Sequence, residues 1–234
     1  MTKPLWDSDT LPTGDDKQRA VQAMFDTIAP RYDLVNRLMT FRLDVRWRKQ
    51  AIGSLGLPKG SLVADLASGT GDMCIDLRAV GFRPLSVDLS FGMLANDTSG
   101  EPRVQADILH LPFPDCSLDG ITCGFALRNF VDLGGFFDEI ARVVRPNGRV
   151  ALLDVATPPN PILRIGHGIY FGKIVPKVGA LLSDGAAYAY LPKSVAYLPE
   201  PAEMMARFAT AGWLDGDRRL LAGGITQLIT GTRG

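Results

Sequence analysis

Apolar residues recur near the start of the chain with the period of a helix that buries one face. Val21, Met24, Phe25 and Ile28 form its stripe. Pro30 interrupts the stripe, since proline has no amide to continue the ladder, and a second helical stretch runs from about Tyr32 through Trp47 to Leu55. From Leu62 the pattern changes to short apolar runs alternating with amphipathic stretches, as in a parallel sheet with crossover helices. Residues 62–66, 84–87, 104–106, 121–125 and 150–155 are the predicted strands, with helices at 72–80 and 132–144. The second of these helices aligns Phe136, Ile140, Val143 and Val144, and ends at the turn Pro146-Asn147-Gly148. A further helix fits residues 201–212, with Pro201 in its first turn and Gly212 as C-cap. Residues 213–220 and 225–230, separated by Ala222-Gly223-Gly224, read as an antiparallel pair that ends the sheet. The expected architecture is a Rossmann-like α/β domain of seven strands.

The predicted domain spans residues 15–234, behind a loose tail at 1–14. It divides into N-terminal helices (15–58), a ligand-binding core (59–156), a helical cap insertion (157–198) and a last helix with the strand pair (199–234). A length of 234 residues suits one well-buried core, and 46% hydrophobic with 21% charged residues excludes a disordered chain. Lys plus Arg and Asp plus Glu number 25 each, so no long-range field draws the chain to nucleic acid, and no nucleic-acid partner is expected. Three cysteines (74, 116 and 123) and two histidines lack metal-ligand spacing, so no metal is expected and a reducing cytoplasm fits. The N-terminus has no signal-peptide pattern. The apolar stretch 161–182 is broken by Arg164, Lys173, Pro176 and Lys177, which suits peripheral membrane contact better than a span. A homodimer stays open.

The sharpest local signal is Val63-Ala64-Asp65-Leu66-Ala67-Ser68-Gly69-Thr70-Gly71-Asp72, a strand running into a glycine turn that opens a helix. Gly69 and Gly71 allow a sharp turn and close backbone approach to a ligand at the C-terminal sheet edge. A dinucleotide fingerprint would carry a third glycine where Cys74 stands, and a carboxylate at Asp72 would repel a diphosphate. S-adenosylmethionine has no phosphate and carries a sulfonium and an ammonium, which carboxylates such as Asp65 attract. Asp88 ends the second strand, where an acid accepts hydrogen bonds from both ribose hydroxyls. Met93 and Leu94 follow as an apolar wall for adenine. Asp107 ends the third strand, with its carboxylate facing an exocyclic amine and the Ile108 amide facing a ring nitrogen. Taken singly, each Asp reads as a cap or turn residue. The ordered set, with the glycine turn, points to an adenosyl ligand, and its similarity to the pattern of class I methyltransferases implies S-adenosylmethionine.

Several further segments carry a resemblance. The segment Ala29-Pro30-Arg31-Tyr32-Asp33-Leu34-Val35-Asn36, the glycine turn, Leu111-Pro112-Phe113, Phe125-Ala126-Leu127-Arg128-Asn129, Tyr188-Ala189-Tyr190-Leu191 and Gly223-Gly224-Ile225 extend over nearly the whole chain. Together they resemble the C-methyltransferase family of ubiquinone and menaquinone biosynthesis. The resemblance implies methylation of a ring carbon of a prenylated demethyl-naphthoquinol or demethyl-benzoquinol. It also implies cofactor contacts at Thr70, Asp88, Asp107 and Ile108, and at Gly124, where members commonly have Ser. Asp44 stands where His is often found, which resembles menaquinone-type members. Other readings are a different small-molecule methyltransferase, or a non-catalytic S-adenosylmethionine-binding scaffold.

Transfer from a sulfonium is an in-line displacement, so the protein mainly has to hold nucleophile, methyl and sulfur at roughly 3 to 3.5 Å contacts. A cation near a quinol oxygen favours loss of its proton, which makes the ring carbon nucleophilic. Arg128 is the candidate for that oxygen, with Asn129 orienting it; the plainer reading is a salt bridge from Arg128 to Asp132 or another carboxylate. Tyr32 is expected to cover the cofactor, and Tyr188 and Tyr190 to approach substrate, unless they are core aromatics. His110 and His167 lack a nucleophile or metal constellation and read as ordinary histidines. Arg42, Arg46, Arg48 and Lys49 around Trp47 would meet lipid headgroups or form a solvated face. Residues 161–197 would cap the ligand edge and suit a prenyl tail, each buried methylene contributing about 0.8 kcal/mol.

Overall fold

A computed structural model describes residues 13–170, 172, 190 and 193–234. The expected tail up to residue 12, most of the later half of the cap insertion, and Tyr188 lie outside the described residues.

A seven-stranded sheet carries the fold, ordered β3-β2-β1-β4-β5-β7-β6. Its strands are β1 (Leu62–Leu66), β2 (Arg83–Asp88), β3 (Arg103–Gln105), β4 (Leu118–Gly124), β5 (Val144–Val155), β6 (Trp213–Leu221) and β7 (Thr226–Arg233). The first five run parallel, and β7 enters antiparallel between β5 and β6. The order reverses direction beside β1, so the C-terminal ends of β1 and β4 open a crevice for a ligand. The doubly wound sheet and the closing antiparallel pair match the sequence expectation.

Alternate residues of each strand face opposite layers. Ala64, Leu66, Val150 and Leu152 pack toward α6 (Leu133–Val143) and α8 (Pro201–Thr210), where Phe136, Phe137 and Phe208 are fully buried. Val63, Ala151 and Leu153 face the opposite layer, built from α3 (Leu43–Leu55) and α4 (Asp72–Ala79), which contribute Trp47, Leu55 and Leu77. Phe208 stacks on Trp213 at 5.4 Å and 8°. Truncating such an aromatic to Ala costs about 3–5 kcal/mol, which makes this layer the anchor of the fold. α6 starts where the Asp132 carboxylate accepts the Gly135 amide at 3.0 Å. α5 (Phe91–Ala95) starts where Ser90 Oγ accepts the Met93 amide, also at 3.0 Å.

Two boundaries differ from the pattern. The stretch from Tyr32 to Leu55 is two helices, α2 (Tyr32–Met39) and α3, broken at Phe41 (φ 50°) and Arg42 (φ 60°). No glycine or proline marks that break. Its left-handed residues are held by the Arg42 amide on the Arg37 carbonyl (3.2 Å) and by Thr40 Oγ1 on Asp44 (2.5 Å). Strand β5 starts at Val144, earlier than expected, and Asn147 at φ 65° forms an irregularity inside the strand where a separate turn was expected.

The N-terminal helix α1 (Gly14–Ile28) lies across the ligand edge. Asp26 Oδ1 accepts Ser90 Oγ (2.5 Å) and the Gly92 amide (2.9 Å) there. α7 (Pro161–Ile169) opens the cap insertion. Among the described residues no helix is long and apolar enough to cross a membrane.

Candidate active site

β1 ends in a turn that only a small, positive-φ chain can make at two points, Gly69 (φ 57°) and Gly71 (φ 88°). A Cβ at Gly71 would collide with the Asp97 carboxylate, so glycine is required there. The Gly69 amide donates to Asp88 Oδ2 and the Ser90 amide to Asp88 Oδ1, both at 2.8 Å. The two bonds fix the carboxylate at the end of β2. Burial pushes Asp88 up to about 6, against the lowering effect of those amides. It is therefore mostly ionised at neutral pH, with lone pairs left for two hydroxyl donors.

A cavity opens above this turn, enclosing about 800 Å³ including its mouth, within the range of small-molecule sites. Of the residues predicted from sequence, Tyr32, Gly69, Asp88, Met93, Asp107, Ile108, Gly124 and Asn129 line it together. Asp65, Thr70, Gly71, Arg128 and Tyr190 do not. Asp65 lies beneath the turn, accepts Thr122 Oγ1 at 2.7 Å, and is pushed up to about 7 by burial. Thr70 Oγ1 donates to Asp33 (2.5 Å) and ties α2 to the turn. Leu94 is buried beside Met93, off the wall.

Sequence reasoning missed the fourth wall. Gln18, Val21, Gln22 and Phe25 of α1 close the cavity, and Gln18 Nε2 donates to Asp107 Oδ2 at 2.7 Å. That carboxylate oxygen thus faces an amino donor, as an exocyclic amine would present, while Oδ1 holds the Leu109 amide at 2.9 Å. Two glutamines one turn apart beside the apolar stripe were the available signal. Lys17, next to Gln18, is buried and donates to the carbonyls of Arg128 (3.0 Å) and Phe130 (2.8 Å). Its ammonium stands 3.6 Å from the centre of the Tyr197 ring. Burial lowers Lys17 to about 8. Among the described residues no Lys or Arg lines the cavity, and the charged groups that do are acidic. Such a lining accepts ribose hydroxyls, an adenine amine and a cationic sulfur, and opposes a phosphate.

A second, larger cavity adjoins the first. Phe25, Tyr32 and Phe125 line both and form the shared wall. The second cavity is mostly apolar, built from α1, α2, α3, α7 and the ends of β5 and β7, and Arg128 reaches it. Arg128 is 6% exposed and sits in the 3₁₀ turn Leu127–Asn129. Its Nη1 pairs with Asp154 and donates to the Phe125 carbonyl (2.5 Å), its Nε donates to Ser194 Oγ (3.1 Å), and its amide donates to Asp154 Oδ2 (3.0 Å). The ion pair expected as the plainer reading is present, with Asp154 as partner, since Asp132 is occupied as the cap of α6. Asp154, Phe125 and Ser194 orient Arg128. Asn129, expected in that role, instead accepts the Tyr190 hydroxyl at 3.2 Å. Tyr190 is fully buried, and burial raises its phenol. Among the described residues Nη2 of Arg128 makes no hydrogen bond, which leaves two donors for an oxygen in the second cavity.

The comparisons with known proteins bear on this pair of cavities. A family model described as the ubiE/COQ5 methyltransferase family matches residues 13–233. The chain belongs to that family. It is 38% identical to a demethylmenaquinone methyltransferase of Roseiflexus sp. (strain RS-1), over 95% of this chain and 97% of that one. To a Geobacter sulfurreducens protein named ubiquinone/menaquinone biosynthesis C-methyltransferase UbiE it is 35% identical, over 94% of this chain and 90% of that one. In fold it matches a SAM-dependent methyltransferase from Thermotoga maritima with a TM-score of 0.65 at 17% identity, covering 92% of this chain and 100% of that one. The chain is therefore a methyltransferase of the class I fold, and its cofactor is S-adenosylmethionine. Asp88, Asp107, Ile108, Gly69 and Met93 are the residues that fit this cofactor.

Proposed function

We propose that this methyltransferase places a methyl group on a ring carbon of a prenylated demethyl-naphthoquinol, giving the menaquinol skeleton. The observation that carries the reading is the adjacency of two cavities, one acid-lined and one apolar, that share Phe25, Tyr32 and Phe125 as lining residues. The names of the relatives point to the same substrate class. When bound, S-adenosylmethionine would supply an electrophilic methyl.

Arg128 does the acceptor-side work. Its free Nη2 donors would hold a quinol oxygen as the hydroxyl proton leaves, stabilising the oxyanion that raises electron density at the neighbouring carbon. The methyl would pass from S-adenosylmethionine to that carbon, leaving the neutral thioether; the hydroxyl proton goes to water, and the ring-carbon proton returns to the oxygen through water, so aromaticity is restored with one proton released net. Asp154 keeps the guanidinium in place and compensates its charge, so Arg128 does not meet a neutral quinol as an unpaired cation. The aromatic wall excludes water from the transfer path. We place this activity in the cytoplasm, at the inner face of the membrane that holds a prenylated quinol.

The test is incubation with methyl-labelled S-adenosylmethionine and chemically reduced demethyl-naphthoquinol or demethyl-benzoquinol, read by mass spectrometry. Label on the naphthoquinol ring, formed at least ten times faster than on the benzoquinol, is the expected result. Label on the benzoquinol alone would reassign the ring, and label on neither would leave the substrate class refuted.

A further inference from the structure

α7 is a well-formed helix that buries none of its residues. Asn160 Oδ1 caps its first turn by accepting the Ile162 (2.9 Å) and Leu163 (3.3 Å) amides, and Arg164 ties it to the carbonyls of Pro158 and Pro159. At about 100° per residue the helix has two apolar sides. Leu163, His167 and Tyr170 face the second cavity. Ile165 and Ile169 turn to the other side, at 66% and 50% exposure, while Ile162, 79% exposed, lies at the cavity rim. Phe41, 73% exposed at the α2–α3 break, stands at the rim of that cavity, with its ring 5.9 Å from that of Tyr170.

Beside Phe41 begins a basic stripe. Arg42, Arg46 and Lys49 are exposed at one-turn intervals along the outer side of α3 and make no ion pair among the described residues. The acid within this stretch, Asp44, is buried and paired with Arg48. No Asp or Glu occurs between residues 155 and 170. An exposed apolar helix side next to unopposed cations at the mouth of an apolar cavity has the charge and polarity of a surface that meets anionic lipid.

We propose that the outer side of α7, with Phe41 and the Arg42-Arg46-Lys49 stripe, docks this protein on an anionic bilayer. In that orientation the mouth of the apolar cavity opens onto the lipid. The isoleucines enter the acyl boundary while the cations lie on the headgroups. The docking rests on the reading above only for what passes through the mouth, and lipid binding itself needs no quinol.

The test is flotation of the full chain with phosphatidylglycerol-rich vesicles and with pure phosphatidylcholine vesicles, free of quinol. Binding to the anionic vesicles should be at least tenfold stronger and fall with salt. Each cation near such a surface strengthens binding about fivefold, so Arg46→Glu/Lys49→Glu should weaken it more than tenfold. Ile165→Glu/Ile169→Glu should weaken it comparably. None of these four residues lines either cavity, so both double variants should keep wild-type turnover on a tail-less demethyl-naphthoquinol in solution, which also verifies folding. Equal binding to both vesicle types, or full binding by either double variant, would overturn the proposal. A dimer dissolved by Ile165→Glu/Ile169→Glu, with no vesicle binding by the wild type, would assign the face to a second copy and also overturn it. Failure to methylate the tail-less quinol with vesicle binding intact would strike the substrate reading instead.

Discussion

The two cavities are built by different means. The first hangs from the sheet: Asp88 and Asp107 stand at or just beyond the ends of β2 and β3, and each carboxylate is already fixed by backbone amides. The second is enclosed by helices and loops and is mostly apolar; of the two described arginines that line it, Arg128 is neutralised by Asp154 and Arg164 is held on the Pro158 and Pro159 carbonyls. On the proposed reading, a charged donor is held by preset hydrogen bonds and an apolar acceptor by shape and exclusion of water. Each cavity then opposes the other's ligand: buried carboxylates disfavour a prenyl tail, and an apolar chamber disfavours a sulfonium.

Substitutions on each side should break this division in ranked order. Arg128→Ala should have the largest effect, lowering kcat about 10³-fold. It also strands Asp154 as a buried charge, at a stability cost of about 3–5 kcal/mol. The pair Arg128→Gln/Asp154→Asn should refold the protein without restoring turnover, and thermal melts beside single-turnover assays separate the two effects. Next comes Asp88→Asn, which should weaken S-adenosylmethionine binding about 30-fold by calorimetry while leaving quinol affinity within twofold.

The acid side should also show itself in pH. Asp88 must be ionised to accept two hydroxyls, so donor binding competes with protonation. Since its carboxyl in the folded protein lies near 6, above the usual 3.8, affinity should be near its full value at pH 7 and fall as pH drops through 6. Below that point the loss should approach tenfold per pH unit. The Asp88→Asn variant should lose this dependence.

The difference in construction also explains what the sequence makes legible. Strand-end positions follow from periodicity plus a turn, so Gly69, Asp88, Asp107 and Ile108 can be picked out from the chain alone. Asp65 is legible as a motif residue, yet its placement under the turn depends on the neighbouring strand that offers Thr122. The apolar cavity joins residues from Met24 to Thr226, and no local spacing encodes that meeting. The partner of Arg128 lies 26 residues away on β5, and the break at Phe41 carries no glycine to announce it.

Smaller effects belong to the wall and the covering helix. Lys17→Met removes two bonds that hold α1 to the turn after β4. It should raise the KM for S-adenosylmethionine about fivefold with kcat changed less than twofold. Phe25→Leu thins the shared wall and should weaken both ligands about threefold, a coupling neither side shows alone.

The most direct measurement is a crossed binding experiment. Dissociation constants for S-adenosylhomocysteine and for a prenylated naphthoquinone are determined on wild type, Asp88→Asn and Arg128→Gln/Asp154→Asn. Separate cavities predict that the first variant loses only the nucleoside ligand and the second only the quinone. Equal losses of both ligands in either variant would contradict the division.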